Sequence, residues 1–141
     1  MRILVVEDDP GIREFIEEGL GSFHNMEVDS VADVTAVEMA RRTSYDVIVA
    51  DMHLSDDLDA LRIISEVTAF DNRVRFIVMT GKKRLDVATK LVRALKGNQV
   101  ASFLFKPFEL EELRIALDRA VVDMKPAEAR AGIVDSPASR P

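Results

Sequence analysis

The chain has 141 residues and 48% hydrophobic content, enough for one domain with a single core and no need of staples. It has no cysteine, which removes disulfide frameworks, zinc fingers and thiol nucleophiles from consideration. With 19 Lys and Arg against 25 Asp and Glu, its formal net charge of −6 argues against nucleic acid as a dominant partner.

Residues 3–6 (Ile-Leu-Val-Val) are short, apolar and β-branched, as a buried strand should be. Asp9-Pro10 then opens a helix, with Asp9 as N-cap and Pro10 in its first turn. Ile12, Phe15, Ile16, Leu20 and Phe23 form its apolar stripe. Residues 27–31 are a weaker second strand. A helix starting at Asp33 or Thr35 and ending near Arg42 turns Val34, Val37 and Ala40 inward. Residues 46–50 are a third strand, followed by a polar, acidic loop from Met52 to Asp59 and a helix carrying Leu61, Ile64 and Val67.

Residues 74–79 are the fourth strand, and Gly81-Lys82-Lys83-Arg84 reads as a solvated loop. The next helix carries Leu85, Ala88, Leu91, Val92 and Leu95 and stops at Gly97-Asn98. Residues 101–105 are the fifth strand. A final helix from about Glu109 carries Leu110, Leu113, Leu117, Ala120, Val121 and Met124. Residues 1–124 are thus expected to form one domain, and residues 125–141, rich in Pro, Ala, Ser and Arg, a disordered tail. Five βα repeats predict a parallel sheet with helices on both faces and right-handed crossovers.

No apolar run reaches the roughly 18–20 residues of a membrane span. Met1-Arg2 leads straight into a strand-like run and acids, unlike a signal peptide, so a cytoplasmic location is expected.

Four of the five strands end in a residue suited to phosphate or metal. Glu7-Asp8 follow the first, Asp51 the third, Thr80 the fourth and Lys106 the fifth. Ligands of open parallel sheets bind at the carboxyl ends of the strands, so these groups should converge. Magnesium takes one or two carboxylates together with water and phosphate oxygens, which Glu7 and Asp8 could supply. A carboxylate at the end of a central strand, Asp51, can be a nucleophile that forms an aspartyl-phosphate. The Thr80 hydroxyl can donate to a phosphoryl oxygen while Gly81 lets the backbone come close. Lys106, between Phe105 and Pro107, offers a point charge for phosphate. Singly, each has a plainer reading as a helix cap, a strand residue or a salt-bridge partner. As a set they supply the parts for in-line phosphoryl transfer, which depends on positioning and electrostatics.

Over residues 1–124 the chain resembles the receiver domain of bacterial two-component response regulators, the chemotaxis-type family. The matching stretches are Ile3–Pro10 (ILVVEDDP), Val47–Asp51 (VIVAD), Val78–Gly81 (VMTG) and Phe103–Phe108 (FLFKPF). The resemblance implies a flavodoxin-like (βα)5 fold with strand order 2-1-3-4-5. It implies Asp51 as phospho-acceptor and Mg2+ held by Asp8 directly, by Glu7 and Asp51, and by the backbone carbonyl of His53. It makes Thr80 the switch hydroxyl, Lys106 the phosphate-pairing lysine and Phe103 the rotating aromatic, and it leads one to expect a cis Lys106–Pro107 bond. The implied donor is a histidine kinase or His-phosphotransfer protein.

The family's output surface, and one route to a homodimer, is the face made by the predicted helix over 85–95, the fifth strand and the final helix. The chain departs from the family at Ser55, where Pro is usual, at Asp59-Ala60, one residue late for an Asp-Gly pair, and in the longer stretch from Thr80 to Lys106. The expected function is a phosphorylation-dependent signalling switch with no enzymatic turnover, no membrane insertion and output through protein contacts. A phosphate sink or shuttle is the alternative. A flavodoxin-like cofactor binder fits less well, because Glu7-Asp8-Asp9 would repel a cofactor phosphate. An aspartate-nucleophile phosphohydrolase would need an acid where His53 stands.

Overall fold

The computed structural model describes residues 1–23, 25–33, 35–52, 60–81 and 100–132. Five parallel strands form one sheet: β1 (Arg2–Val6), β2 (Glu27–Val31), β3 (Val47–Asp51), β4 (Arg75–Gly81) and β5 (Val100–Lys106). Their order is β2-β1-β3-β4-β5, as the resemblance implies. The described helices are α1 (Pro10–Gly21), α2 (Thr35–Arg42), α3 (Ala60–Thr68) and the C-terminal helix α4 (Leu110–Gly132). The helix expected over 85–95, the Lys82-Lys83-Arg84 loop, the Gly97-Asn98 stop, Val34, His53, Ser55 and Asp59 lie outside the described residues.

Alternation along the strands builds two cores. Leu4, Val6, Ile48, Ala50, Phe76 and Val78 face α2 and α3. Ile3, Val5, Val47, Val49, Ile77 and Met79 pack with Ile16 and Leu20 of α1 and Leu113 and Leu117 of α4. β3 is buried along its whole length, as a central strand covered on both faces must be.

Several helix expectations shift by a position. On α1, Ile16 and Leu20 are buried, but Phe15 sits at the margin of the stripe, 42% exposed, with its ring 6.1 Å from that of Phe108. On α3 the buried residues are Ala60, Ile63, Ile64 and Val67, so Ile63 takes the place expected for Leu61. The domain boundary expected after Met124 falls inside α4, which continues through Pro126 to Gly132. Ala127-Glu128-Ala129-Arg130-Ala131 are strong helix formers, and that propensity runs against the Pro126 break. Residues 133–141 lie outside the described residues.

Register carries the strand ends to one edge. Val6 pairs with Ala50, so the next step along both strands sets Glu7 beside Asp51. Asp51 pairs with Met79, and Gly81 pairs with Lys106. A bulge in the β4–β5 pairing, between Phe76 and Ile77, shifts the register of β5 and determines which residue stands opposite Gly81.

Candidate functional site

The site opens where β1 has β2 on one side and β3 on the other, the switch point of the sheet. Glu7, Asp8 and Asp51 each place a carboxylate oxygen there, all within 4.8 Å of one another. Glu7 is fully buried, Asp51 is buried and Asp8 is half-exposed. Three like charges this close repel unless a cation or proton intervenes.

Lys106 supplies one cation. Its Nζ lies 2.6 Å from Glu7 Oε1 and 3.1 Å from Asp51 Oδ2, bridging the two buried acids. Burial pushes the Glu7 carboxyl up to about 7, against the lowering effect of its bonds from Lys106 and the Asp9 N–H, while the Asp51 charge pushes it further up. Burial pulls the Lys106 ammonium down, but its hydrogen bond to Glu7 and the charges of Asp51 and Glu7 outweigh this and hold its pKa above the ordinary lysine value. The Lys106–Pro107 bond is cis, as expected.

The backbone around the acids is pinned. The Glu7 N–H donates to the Val31 carbonyl at 3.1 Å and the Met52 N–H to the Met79 carbonyl at 2.8 Å. Asp9 caps α1: its Oδ1 accepts from the N–H groups of Gly11 at 2.8 Å and Ile12 at 3.2 Å. Thr80 is buried near the end of β4, and its Oγ1 donates to the Gly81 carbonyl at 3.2 Å. Gly81 is exposed, and a Cβ there would meet nothing within 4 Å. Phe103 is half-buried, packed against the core under α2 and α3.

The structure therefore gathers the carboxylates of Glu7, Asp8 and Asp51 and bridges Glu7 and Asp51 through Lys106. Thr80 and Gly81 stand at the same edge of the sheet, in register with Phe105 and Lys106. His53, expected to lend a carbonyl, lies outside the described residues. The sequence reading overlooked Arg13, whose Nη1 donates to the Glu7 carbonyl at 2.8 Å. Its only signal was an arginine one turn into a helix that starts beside the acids.

The donor set suits a hard divalent cation. It consists of oxygens only, on three carboxylates, one of them half-exposed and open to solvent. A partly desolvated carboxylate beside an ammonium can seat a phosphoryl group once the local negative charge is offset.

The family profile described as the response regulator receiver domain matches residues 3–118, and the chain belongs to that family. It is thus a receiver domain of two-component response regulators, and its acidic edge is consistent with a phosphorylation-dependent switch. Among relatives, it is 31% identical over 137 residues to response regulator MprA of Mycobacterium leprae, covering 96% of this chain and 58% of that protein. It is 24% identical over 118 residues to sporulation initiation phosphotransferase F of Bacillus subtilis, covering 84% of this chain and 91% of that one. A receiver domain protein from Clostridium thermocellum superposes with a TM-score of 0.78 at 25% identity, over 89% of this chain and 98% of the other. The chain spans 58% of MprA and 32% of the transcriptional regulatory protein ZraR of Klebsiella oxytoca. Among the described residues, no helix is long and apolar enough to cross a membrane.

Proposed function

We propose that Asp51 accepts a phosphoryl group from a phosphohistidine of a histidine kinase or His-phosphotransfer protein, and that this switches a protein-interaction surface. An Asp51 oxygen attacks phosphorus, the N–P bond breaks, and the imidazole leaves with the electron pair and takes up a proton. Glu7, Asp8 and Asp51 would hold Mg2+, with the His53 carbonyl as a further donor. Bound there, the ion would neutralise charge on the transferring group. Lys106, already paired with Asp51 at 3.1 Å, would pair with the incoming phosphoryl oxygens. The Thr80 hydroxyl would donate to one of those oxygens, and Phe103 would follow, changing the face that includes β5 and α4. We read the protein as a signalling substrate and not as a turnover enzyme, since water resets it by hydrolysing its own acyl phosphate.

The observation that carries this reading is the Lys106 bridge between two buried acids at the sheet's switch point. The test is incubation with acetyl phosphate and Mg2+, read by intact mass. The native protein should gain one phosphate and D51A none. A gain that persists in D51A would sink the acceptor assignment.

A shuttle role is the second reading. It is favoured by the similarity to sporulation initiation phosphotransferase F, of which this chain matches 91%. In that case the phosphoryl group should pass from Asp51 to a His-containing acceptor faster than it is lost to water. Slower passage than hydrolysis would leave the switch reading alone.

A further inference from the structure

Of the three clustered carboxylates, two are held by side-chain partners. Lys106 bonds Glu7 Oε1 and Asp51 Oδ2, and Glu7 Oε2 also accepts from the Asp9 N–H at 3.1 Å. The Asp8 carboxylate differs. Among the described residues nothing hydrogen-bonds or pairs with it, so its direction is set by the backbone that carries it. That backbone is closed into a ring by one residue of α1. The Arg13 N–H donates to the Asp9 carbonyl at 3.0 Å, and its guanidinium Nη1 donates to the Glu7 carbonyl at 2.8 Å. Arg13 therefore holds the Glu7–Asp8 peptide directly through its guanidinium and the Asp9–Pro10 peptide through its own N–H, while the Asp8–Asp9 peptide between them donates to Glu7 Oε2. The guanidinium bond is charge-assisted and half-buried, the kind that holds geometry best.

We propose that Arg13 is the positioning residue of this site. By fixing the Glu7–Asp8 peptide it aims the Asp8 carboxylate at the divalent cation, and its role lies in that hydrogen bond and not in its charge. The inference rests on the metal reading above. It also has a sign that separates it from plain electrostatics. The guanidinium sits on the backbone of the acid pair, so Coulomb's law alone predicts that losing its positive charge tightens Mg2+ binding. Loss of positioning predicts weaker binding, by about tenfold for the loss of a group that orients a metal ligand. A merely structural role would lower the melting temperature and leave the affinity for Mg2+ unchanged.

The experiment is calorimetric titration of Mg2+ alone into the full chain, native and R13M, with the melting temperature of each metal-free protein alongside. R13M should raise the dissociation constant about tenfold. R13K, which keeps a cationic donor, should recover part of the loss. If R13M does not fold, R13Q, whose shorter amide falls short of the Glu7 carbonyl, carries the same expectation. An R13M or R13Q affinity equal to or tighter than native overturns the inference. A native protein that binds no Mg2+ would overturn the metal reading beneath it, and the two failures are told apart by the native titration.

Discussion

The two edges of this sheet treat charge in opposite ways. At the starting edge several polar groups have a complementary neighbour close by, although Arg75 Nε is buried without one. The Arg2 N–H donates to Asp46 Oδ2 at 2.8 Å, and the Arg2 and Asp46 backbones are tied by a 2.8 Å bond. The Arg75 N–H donates to the Asp46 carbonyl at 3.0 Å, and the Tyr45 hydroxyl reaches Asp29 at 2.6 Å. At the finishing edge three carboxylates crowd together around one bridging ammonium. The starting edge thus contributes stability through satisfied pairs. The finishing edge holds an electrostatic imbalance that a cation or a phosphoryl group can relieve, and an imbalance of that kind is what a switch requires.

Lys106 gives the sharpest way to break this comparison. K106M strands two buried acids, and removing one member of a buried pair costs about 3 kcal/mol. The loss should appear in denaturant unfolding of the metal-free protein, and Mg2+ should restore more stability to K106M than it adds to the native chain. A loss under about 1 kcal/mol, the scale of an exposed pair, would mean that the finishing edge is no more loaded than the starting one.

Asp8 tests the same imbalance with the opposite sign. Two unit charges about 5 Å apart at an effective dielectric near 20 repel by about 3 kcal/mol, and partial exposure together with Lys106 reduces that. D8N should therefore raise the stability of the metal-free protein by about 1 kcal/mol while removing the Mg2+-induced rise in melting temperature. An undiminished Mg2+ response in D8N would refute its role as a ligand. A mutation that stabilises the fold while disabling the site has no counterpart at the starting edge.

How far the sequence reveals these features follows from where their signals lie. Glu7, Asp8, Asp51, Thr80 and Lys106 were legible because each closes a short apolar run, and parallel strands bring their ends to one edge. The sheet and its order followed from the same rhythm together with the family resemblance. Arg13 was not legible, because its bond goes from a helical side chain to a backbone carbonyl and leaves no periodic trace. The β4–β5 bulge was equally hidden, since one extra residue in a strand changes the register and not the composition. Phe15 was assigned to the buried stripe by spacing alone, whereas a ring at the stripe's margin can instead meet Phe108. The last helix runs past the composition shift after Met124 because a run of good helix formers at 127–131 carries no apolar periodicity for a sequence to show.

Tyr45 gives the smallest effect and sharpens the comparison from the other side. Its ring is buried in the core under α2 and α3, and its hydroxyl donates to Asp29 Oδ2. Burial, then the bond to Asp29 and the Asp29 charge, push its pKa up to about 12. A pKa above the ordinary value of about 10 means that folding favours the neutral phenol. The associated stability is complete below pH 10 and fades as pH rises through about 12. Y45F should cost about 1 kcal/mol near neutrality, because exposed Asp29 can turn to water for its lost partner. The gap between native and Y45F should then narrow across that alkaline window. With one tyrosine and no tryptophan in the chain, ultraviolet titration of the tyrosinate reads Tyr45 alone. A midpoint near 10 would show the bond to be without consequence. The Mg2+ response of Y45F should match that of the native protein. If it fell along with stability, the two edges would be coupled and the division of labour between them would fail.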